Sequence, residues 1–191
     1  MNGLIPQATS SLERLAIQSR LARGAVALYY KGLVAAEAAL ARVQPEDNVL
    51  CIGGGPLPLT AILLHKRTGA SVTVIDNDNQ SVALGKGLLE SLGYGAQIRF
   101  LPGDGRAFPL DEFTVIHVAA QVQPMDAVVQ NVKAHSARGT RILVRLPKQQ
   151  LAALYGRFEP LALSGFVDQV RHRWRNTGRT LLLVGSGESL P

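Results

Sequence analysis

The sequence has 191 residues, of which 47% are hydrophobic and 18% charged, so it can bury the core of one domain and is too apolar to be intrinsically disordered. A single cysteine excludes a disulfide framework, and the lack of both a signal-peptide pattern and an apolar run of about 18 residues predicts a cytoplasmic protein without a membrane contact. The net charge of +6 and the pI near 9.9 permit a nucleic-acid partner without requiring one.

The first predicted element is a long amphipathic helical region over residues 10–43. Ser10 and Glu13 have the spacing of a capping box, and an apolar stripe of leucines and valines follows them. Either Gly24 or Gly32 is expected to divide this region into two helices. Because Pro45 ends the pattern, we divide the chain into an N-terminal helical lid, residues 1–45, and one α/β unit, residues 46–191.

Beyond residue 46, short β-type segments alternate with helical segments. Helices are predicted over residues 57–68, 79–92, 124–137 and 148–158. The predicted strands are Val49–Ile52, Ser71–Ile75, Gln97–Leu101, Phe113–Ala119, Thr140–Leu146, Phe166–Arg173 and Arg179–Val184. Alternation with helices indicates a parallel sheet, whereas the short Asn176-Thr177-Gly178 connection indicates a final antiparallel hairpin. The predicted fold class is therefore α/β, a Rossmann-like class I methyltransferase fold with a seven-stranded, mostly parallel sheet.

The densest basic run of the chain lies in this hairpin, where arginines alternate with other residues. Its members are Arg171, Arg173, Arg175 and Arg179. Such a run can contact nucleic acid, but arginines at a spacing of two are also typical of the solvated face of an edge strand, where charge discourages pairing between edges. We favour the edge-strand interpretation and keep nucleic acid as a less favoured partner.

A glycine-rich turn follows the first strand and precedes a helix. Its residues are Gly53, Gly54, Gly55 and Pro56. Glycines let a backbone pass close to a ligand, and in an open α/β sheet the carboxyl end of the first strand borders the point at which ligands bind. Pro58 stands where a dinucleotide-binding turn needs its last glycine, and no Gly-Lys-Ser/Thr follows, so NAD is disfavoured and a P-loop is excluded.

Two further groups of polar residues end the second and third strands. Asp76 and Asn77 lie where an acidic residue can accept hydrogen bonds from a ribose diol. The third strand ends in Gly103, Asp104 and Gly105, where a carboxylate can receive an adenine amino group beside glycines that leave room for the ring. Together with the glycine turn and the hairpin, these groups predict S-adenosylmethionine as the bound donor.

Several of these segments resemble the nicotianamine synthase family. The stretch GGGPLPLTAILL is similar to that family's Gly-Ser-Gly-Pro-Leu-Pro-Leu-Thr turn, and the IDND and GDG segments correspond as well. The segment VAAQVQPMDAVVQNVKAHSARGTRILVR, which contains Ala119 and Ala120, resembles the family's Ala-Ala-Leu-Val, helix and strand ending in arginine, here Arg145. Tyr155 corresponds to a later tyrosine of the family. The resemblance covers residues 29 to about 155 and implies that Ala119 and Ala120 contribute to donor binding.

The resemblance also implies two catalytic residues. LYYKGLVAAEAAL is similar to a family segment in which Asn-Tyr is followed seven residues later by Glu, and Tyr30 and Glu37 occupy those positions, with Tyr29 in place of the asparagine. A seven-residue interval is about two helical turns, so both side chains share one face. We expect Tyr30 or Glu37, at the mouth of the site, to act as the base or to hold the acceptor's amino group, although a packed tyrosine and a solvated glutamate would show the same spacing.

The family transfers the 3-amino-3-carboxypropyl group of S-adenosylmethionine to an amine, and no metal is required. The expected partner is therefore a small-molecule amine or amino-acid acceptor. The family usually carries a larger helical N-terminal domain, whereas about 45 residues precede the first strand here, so a homodimer that completes the acceptor pocket is one expectation.

Two alternatives remain open at this point. A conventional methyltransferase acting on a small molecule or on RNA would use the same donor and fold. A binding module without enzymatic activity, which contacts RNA or a protein through the basic hairpin, would not need the intact glycines, Asp76 and Asp104.

Overall fold

The computed structural model of the protein describes residues 20–148, 163–172 and 176–187. Residues 10–19 of the predicted first helical region, nearly all of the predicted helix over 148–158, Tyr155, and residues 173–175 of the basic hairpin lie outside the described residues.

Four helices and seven strands are described. The helices are α1 (Arg20–Leu40), α2 (Leu59–Thr68), α3 (Asn79–Ser91) and α4 (Met125–His135). The strands are β1 (Asn48–Ile52), β2 (Ser71–Asp76), β3 (Ile98–Pro102), β4 (Val115–Val118), β5 (Arg141–Pro147), β6 (Asp168–Arg171) and β7 (Thr177–Val184).

The strands form one sheet in the order β3-β2-β1-β4-β5-β7-β6. Strands β1 to β5 are parallel, and β7 runs antiparallel to both β5 and β6. This arrangement confirms the predicted mostly parallel sheet and its terminal antiparallel hairpin. The turn of the hairpin differs from the prediction, because Thr177 and Gly178 already belong to β7, where Thr177 pairs with Pro147.

The two faces of the sheet bury two separate sets of apolar side chains. Val49 and Cys51 of β1 point to the face covered by α1, α2 and α3, whereas Leu50 and Ile52 point to the face covered by α4. This alternation follows from the two-residue period of a strand. The result is a three-layer α/β/α domain whose strands are apolar on both faces, as expected for a parallel sheet.

Helix α1 is continuous across Gly24 and Gly32, so the expectation that one of them divides the helix is wrong. Both glycines are exposed, and nothing approaches the position of a β-carbon on Gly24. A glycine in a helix costs about 1 kcal/mol relative to alanine. Tertiary packing offsets this cost, because Leu33 and Val34 of the same helix are each 1% exposed against the sheet.

Candidate functional site

A cleft opens where the chain connections leave the sheet in opposite directions. From β1 the chain leads through α2 to β2, and from β4 it leads through α4 to β5 on the other side. In open α/β sheets ligands bind at the carboxyl ends of the strands at such a switch point. The cleft has a volume of about 490 Å³, is open to solvent, and is lined by α1, the glycine turn, the first turn of α2, and residues at the ends of β4 and β5.

The glycine turn folds tightly back onto the neighbouring strand. The N–H groups of Gly53 and Gly54 both donate to the Ile75 carbonyl oxygen, at 2.9 and 3.2 Å, and Gly53 has a φ of +83°. A β-carbon on Gly54 would overlap Val74 and would lie 2.9 Å from Phe100 Cζ. The second glycine is therefore required by packing within the protein, while the turn as a whole lines the cleft.

Asp76 connects this turn to the end of β2. One carboxylate oxygen accepts a hydrogen bond from the Gly55 N–H at 2.8 Å, and the other accepts one from the Asp78 N–H at 3.0 Å. Asp78 in turn caps α3, where its side chain accepts from the Gln80 and Ser81 N–H groups, while Asn77 is exposed between them. The structure thus brings the first two predicted groups of donor-binding residues into direct contact.

The third predicted group lies beside them. The Gly103 N–H donates to the Asp76 carbonyl oxygen at 3.0 Å, and a β-carbon on Gly105 would lie 2.7 Å from Ile52 Cγ2. The Asp104 carboxylate accepts hydrogen bonds from the Arg106 side chain and backbone, which lower the pKa of Asp104. In this structure the Arg106 side chain donates to the Asp104 carboxylate. Contact between Asp104 and an adenine amino group therefore stays a prediction.

Ala119 and Ala120 follow β4, and Ala119 lines the cleft. They are 7% and 8% exposed, and the Ala119 N–H donates to the Ile52 carbonyl oxygen at 3.1 Å. A β-carbon on Gly53 would lie 3.4 Å from the Ala119 β-carbon. Small side chains at these positions let the turns after β1 and β4 approach each other closely.

Tyr30 and Glu37 share one face of α1, as their spacing predicts. A single residue, Arg145 of β5, contacts both: its guanidinium carbon lies 5.6 Å from the centre of the Tyr30 ring, and its nitrogens pair with the Glu37 carboxylate. Tyr30 and Arg145 line the cleft. Glu37 differs from the expected position at the mouth of the site, because its side chain is 0% exposed beneath the cleft floor.

The Glu37 carboxylate is the centre of a buried polar network. Arg145 donates from Nε at 2.9 Å and from Nη2 at 2.6 Å, and the Thr180 hydroxyl donates at 2.7 Å. Burial by itself would raise the pKa of Glu37, but the Arg145 charge, the neighbouring His117 and the hydrogen bonds from these side chains together outweigh it and hold the pKa far below its usual range. Glu37 is therefore an anion locked in an ion pair.

His117 of β4 extends this network. Its Nε2 atom lies 3.4 Å from a Glu37 carboxylate oxygen and has no hydrogen-bond partner among the described residues. Burial and the Arg145 charge lower the pKa of His117, so the ring is neutral near pH 7. Neither His117 nor Thr180 was predicted to have a role. The signal for His117 is a histidine within the apolar Val115–Val118 strand, which indicates a buried polar group.

Cys51 lies on the same face of the sheet as His117, with which it pairs in register. Burial raises the pKa of its thiol to about 12, so the group is neutral and unreactive.

No three or more His, Cys, Asp or Glu side chains in residues 20–148, 163–172 and 176–187 are grouped so that they could hold a metal ion. No helix in the same ranges combines the length and the apolar character needed to span a bilayer.

Comparison with protein families gives a match to one family. The model of the family described as "Nicotianamine synthase protein" matches residues 28–178. This range includes the glycine turn and Glu37, His117 and Arg145 of the buried network, and it ends at the start of β7.

Curated relatives match over a shorter part of the chain. The L-histidine 2-aminobutanoyltransferase of Yersinia pestis is 30% identical over 111 residues, which are 57% of this chain and 41% of the relative. The enzyme of the same name from Pseudomonas aeruginosa strain UCBPP-PA14 is 27% identical over 107 residues, 55% of this chain and 40% of the relative. The matched part thus spans about two fifths of each curated relative.

Solved structures match over nearly the whole chain. MtNAS in complex with MTA and tNA superimposes with a TM-score of 0.77 and 27% identity over 92% of this chain and 69% of that chain. A mutant of MtNAS in complex with S-adenosylmethionine gives 0.75 and 27% over 92% and 71%. An RNA methyltransferase from Salinibacter ruber, at 17% identity and a TM-score of 0.63 over 84% and 94%, shares the fold alone.

Proposed function

Because the chain belongs to the nicotianamine synthase family, we propose that it transfers the 3-amino-3-carboxypropyl group of S-adenosylmethionine to an amine of a small molecule. The observation that carries this proposal is the cleft at the switch point. There the family's glycine turn, Tyr30 and Arg145 line one cleft, and Asp76 accepts a hydrogen bond from Gly55 of that turn.

We also propose how the donor lies in and beside the cleft. We assign the ribose to Asp76 and Asn77, and the adenine to the edge formed by Gly103, Asp104 and Gly105. The sulfonium and its two alkyl groups then lie against the glycine turn and Ala119, with the longer arm directed toward Tyr30 and Arg145. Support for the donor comes from the MtNAS mutant solved with S-adenosylmethionine, which has the same fold at 27% identity.

The reaction is a substitution at the carbon that joins the arm to sulfur. The acceptor's nitrogen lone pair forms the new C–N bond while the C–S bond breaks, and the electron pair of that bond stays on sulfur in neutral methylthioadenosine. The acceptor nitrogen loses one proton before or during attack. The protein's contribution is to hold nitrogen, carbon and sulfur in line and to provide a proton acceptor.

Tyr30 is the residue we assign to the acceptor nitrogen, as the proton acceptor or as the group that orients the amine. It lines the cleft and its ring is held over Arg145. Glu37 contributes differently, because a general base needs a pKa near the working pH and access to the proton. We assign Glu37 the role of holding Arg145 in place, and Arg145 in turn positions the Tyr30 ring.

The acceptor class we propose is an amino acid. The two curated relatives carry the name L-histidine 2-aminobutanoyltransferase, which makes histidine the first acceptor to test.

The test is to identify the nucleoside product by mass spectrometry. The protein is incubated with S-adenosylmethionine and with histidine, other amino acids or simple amines, each in a separate reaction. We expect methylthioadenosine together with an acceptor whose mass has increased by one 3-amino-3-carboxypropyl group, which replaces a hydrogen atom. Formation of S-adenosylhomocysteine and a methylated acceptor would contradict the proposal and assign the chain to methyl transfer.

A further inference from the structure

We propose that Thr180 of β7 is a positioning residue of the active site. It acts through the ion pair between Glu37 and Arg145, and by that route it sets the position of the Tyr30 hydroxyl. The last step rests on the proposed function, because that function assigns Tyr30 to the acceptor nitrogen. The path from Thr180 to the cleft rests on the following contacts.

The antiparallel pairing of β5 with β7 places Thr180 beside Arg145. The two residues are direct partners in the register of these strands, so their side chains lie on the same face of the sheet. Leu182 of β7 packs on this face against the core that α1 covers. Thr180 is 0% exposed. The register of the strands therefore brings a guanidinium and a hydroxyl to the same buried carboxylate, that of Glu37 on α1.

The Thr180 hydroxyl makes two hydrogen bonds, and chemistry fixes the direction of both. Glu37 is an anion that can only accept, so the single hydroxyl proton of Thr180 points to Glu37 Oε1, at 2.7 Å. The Thr180 oxygen also lies 3.0 Å from Nε2 of His172, and in this contact the oxygen has to accept. His172 Nε2 therefore carries a proton.

These bonds fix the rotation of the Glu37 carboxylate. Oε1 accepts from Thr180 and from Arg145 Nε at 2.9 Å, and Oε2 accepts from Arg145 Nη2 at 2.6 Å. The carboxylate cannot turn without breaking a buried hydrogen bond, so the guanidinium paired with it is held as well. The guanidinium carbon lies 5.6 Å from the centre of the Tyr30 ring, which lines the cleft. A residue of β7 thus bears on the position of a cleft side chain.

His172 anchors the outer end of this path. It follows β6 at the edge of the sheet and is 8% exposed. Its backbone N–H donates to the Gly178 carbonyl oxygen at 2.9 Å, which ties the residue to β7. Because the Thr180 proton is given to Glu37, the bond from His172 holds the same hydroxyl by its oxygen. One continuous path of hydrogen bonds therefore connects the final hairpin with Arg145.

The test is a double-mutant cycle on kcat. Thr180→Val keeps the shape of the side chain and removes the hydroxyl, so kcat should fall by about tenfold through lost alignment of the reacting groups. In the Tyr30→Phe background the same substitution should leave kcat unchanged, because the hydroxyl that it positions is already absent. Thr180→Ser restores the hydrogen bond and should recover most of the wild-type kcat.

Thr140→Val is the matched control for the loss of a buried hydroxyl. Thr140 directly precedes β5, is 3% exposed, and donates to the Phe113 carbonyl oxygen at 3.1 Å. It lies outside the cleft-lining residues. Thr140→Val and Thr180→Val should both lower stability to urea, but only Thr180→Val should lower kcat.

A second measurement needs neither donor nor turnover. The aromatic NMR signals of Tyr30 are identified by their absence from Tyr30→Phe. Thr180→Val should shift these signals, because the guanidinium beside the ring is no longer held, whereas Thr140→Val should leave them in place.

An equal loss of kcat from Thr180→Val in the wild-type and Tyr30→Phe backgrounds would overturn the proposal. Unchanged Tyr30 signals in Thr180→Val would overturn it as well. The nucleoside product is identified in the same reactions. Formation of S-adenosylhomocysteine together with the expected cycle would contradict the proposed reaction but not the role of Thr180.

Discussion

At the scale of single residues, Asp76 links the glycine turn to the proposed ribose site. Its carboxylate accepts the Gly55 N–H at 2.8 Å and remains partly exposed at the end of β2. Asp76→Ala removes both this contact and the proposed acceptor for the ribose hydroxyls. We expect S-adenosylmethionine to bind more weakly by about 1–3 kcal/mol, measured by calorimetry.

Asp111→Ala is the control for this substitution, because Asp111 is exposed and lies before β4, away from the cleft-lining residues. Unchanged affinity of Asp76→Ala would contradict the placement of the ribose.

Two adjacent tyrosines allow a matched test of the proposed catalytic residue. Tyr30 lines the cleft, whereas the Tyr29 hydroxyl accepts a hydrogen bond from the Asn176 N–H at 3.0 Å. Tyr30→Phe keeps the ring over Arg145 and removes only the hydroxyl. A lost general base typically costs about 10²–10⁴-fold, so kcat should fall by at least about 10²-fold with little change in donor affinity.

Tyr29→Phe should retain nearly full kcat in the same assay. An equal kcat for Tyr29→Phe and Tyr30→Phe would show that the Tyr30 hydroxyl has no part in the reaction.

At the scale of elements, two glycines of α3 have opposite roles. A β-carbon on Gly85 would overlap the Phe100 ring, whereas nothing lies within 4 Å of a β-carbon on Gly87. Gly85→Ala should therefore destabilise the fold by about 1–3 kcal/mol through overpacking. Gly87→Ala should stabilise it by about 0.5–1 kcal/mol, because alanine loses less conformational freedom in a helix.

Urea unfolding of the two variants measures both effects on one helix. The same sign for both substitutions would show that α3 does not pack on Phe100 as described.

Helix α1 is attached to the sheet by the ion pair between Glu37 and Arg145. Removing one partner leaves the other charge buried, so Glu37→Met or Arg145→Met alone should lower the free energy of unfolding by about 3–5 kcal/mol. The double variant should be less destabilised than the sum, since no unpaired charge remains. Urea unfolding of the four proteins gives the coupling energy, and additive effects would contradict a direct pair.

At the scale of the whole molecule, buried titratable groups make stability depend on pH. The pKa of His117 in the folded chain is below its usual 6.5. As pH falls below about 6.5, His117 therefore binds a proton in the unfolded chain before it does so in the folded chain, which lowers the stability of the fold. The pKa of Glu37 is below its usual 4.5, so its stabilising contribution is present above about pH 4.5 and is lost as pH falls further.

His117 and Glu37 should therefore leave the stability to urea constant above about pH 7. As pH falls below that value, stability should decrease in two stages. His117→Leu should remove the first stage, which begins as pH falls below about 6.5, and leave the second, which begins below about 4.5. A wild-type profile that stays flat from about pH 6.5 down to 4.5 would contradict a buried, neutral His117.

Much of the architecture follows from local sequence. Val49–Ile52 and Ser71–Ile75 were predicted because short β-branched runs alternate with helical segments. The same alternation indicated a parallel sheet, and β1 and β2 do pair in parallel. Glycines and carboxylates at strand ends indicated the donor site for the same reason, since parallel strands bring their carboxyl ends to one edge. Those residues do lie together at one edge of the sheet.

Tertiary structure alone decided the roles of α1 and of the buried network. The sequence places Glu37 108 residues from Arg145 and 143 from Thr180, and no local pattern links them. Spacing along α1 correctly put Tyr30 and Glu37 on one face, but it did not show which of them reaches the cleft. That depended on how α1 packs across β5 and β7. Burial makes Glu37 the partner of Arg145, whereas Tyr30 lines the cleft in which the substrate is proposed to bind.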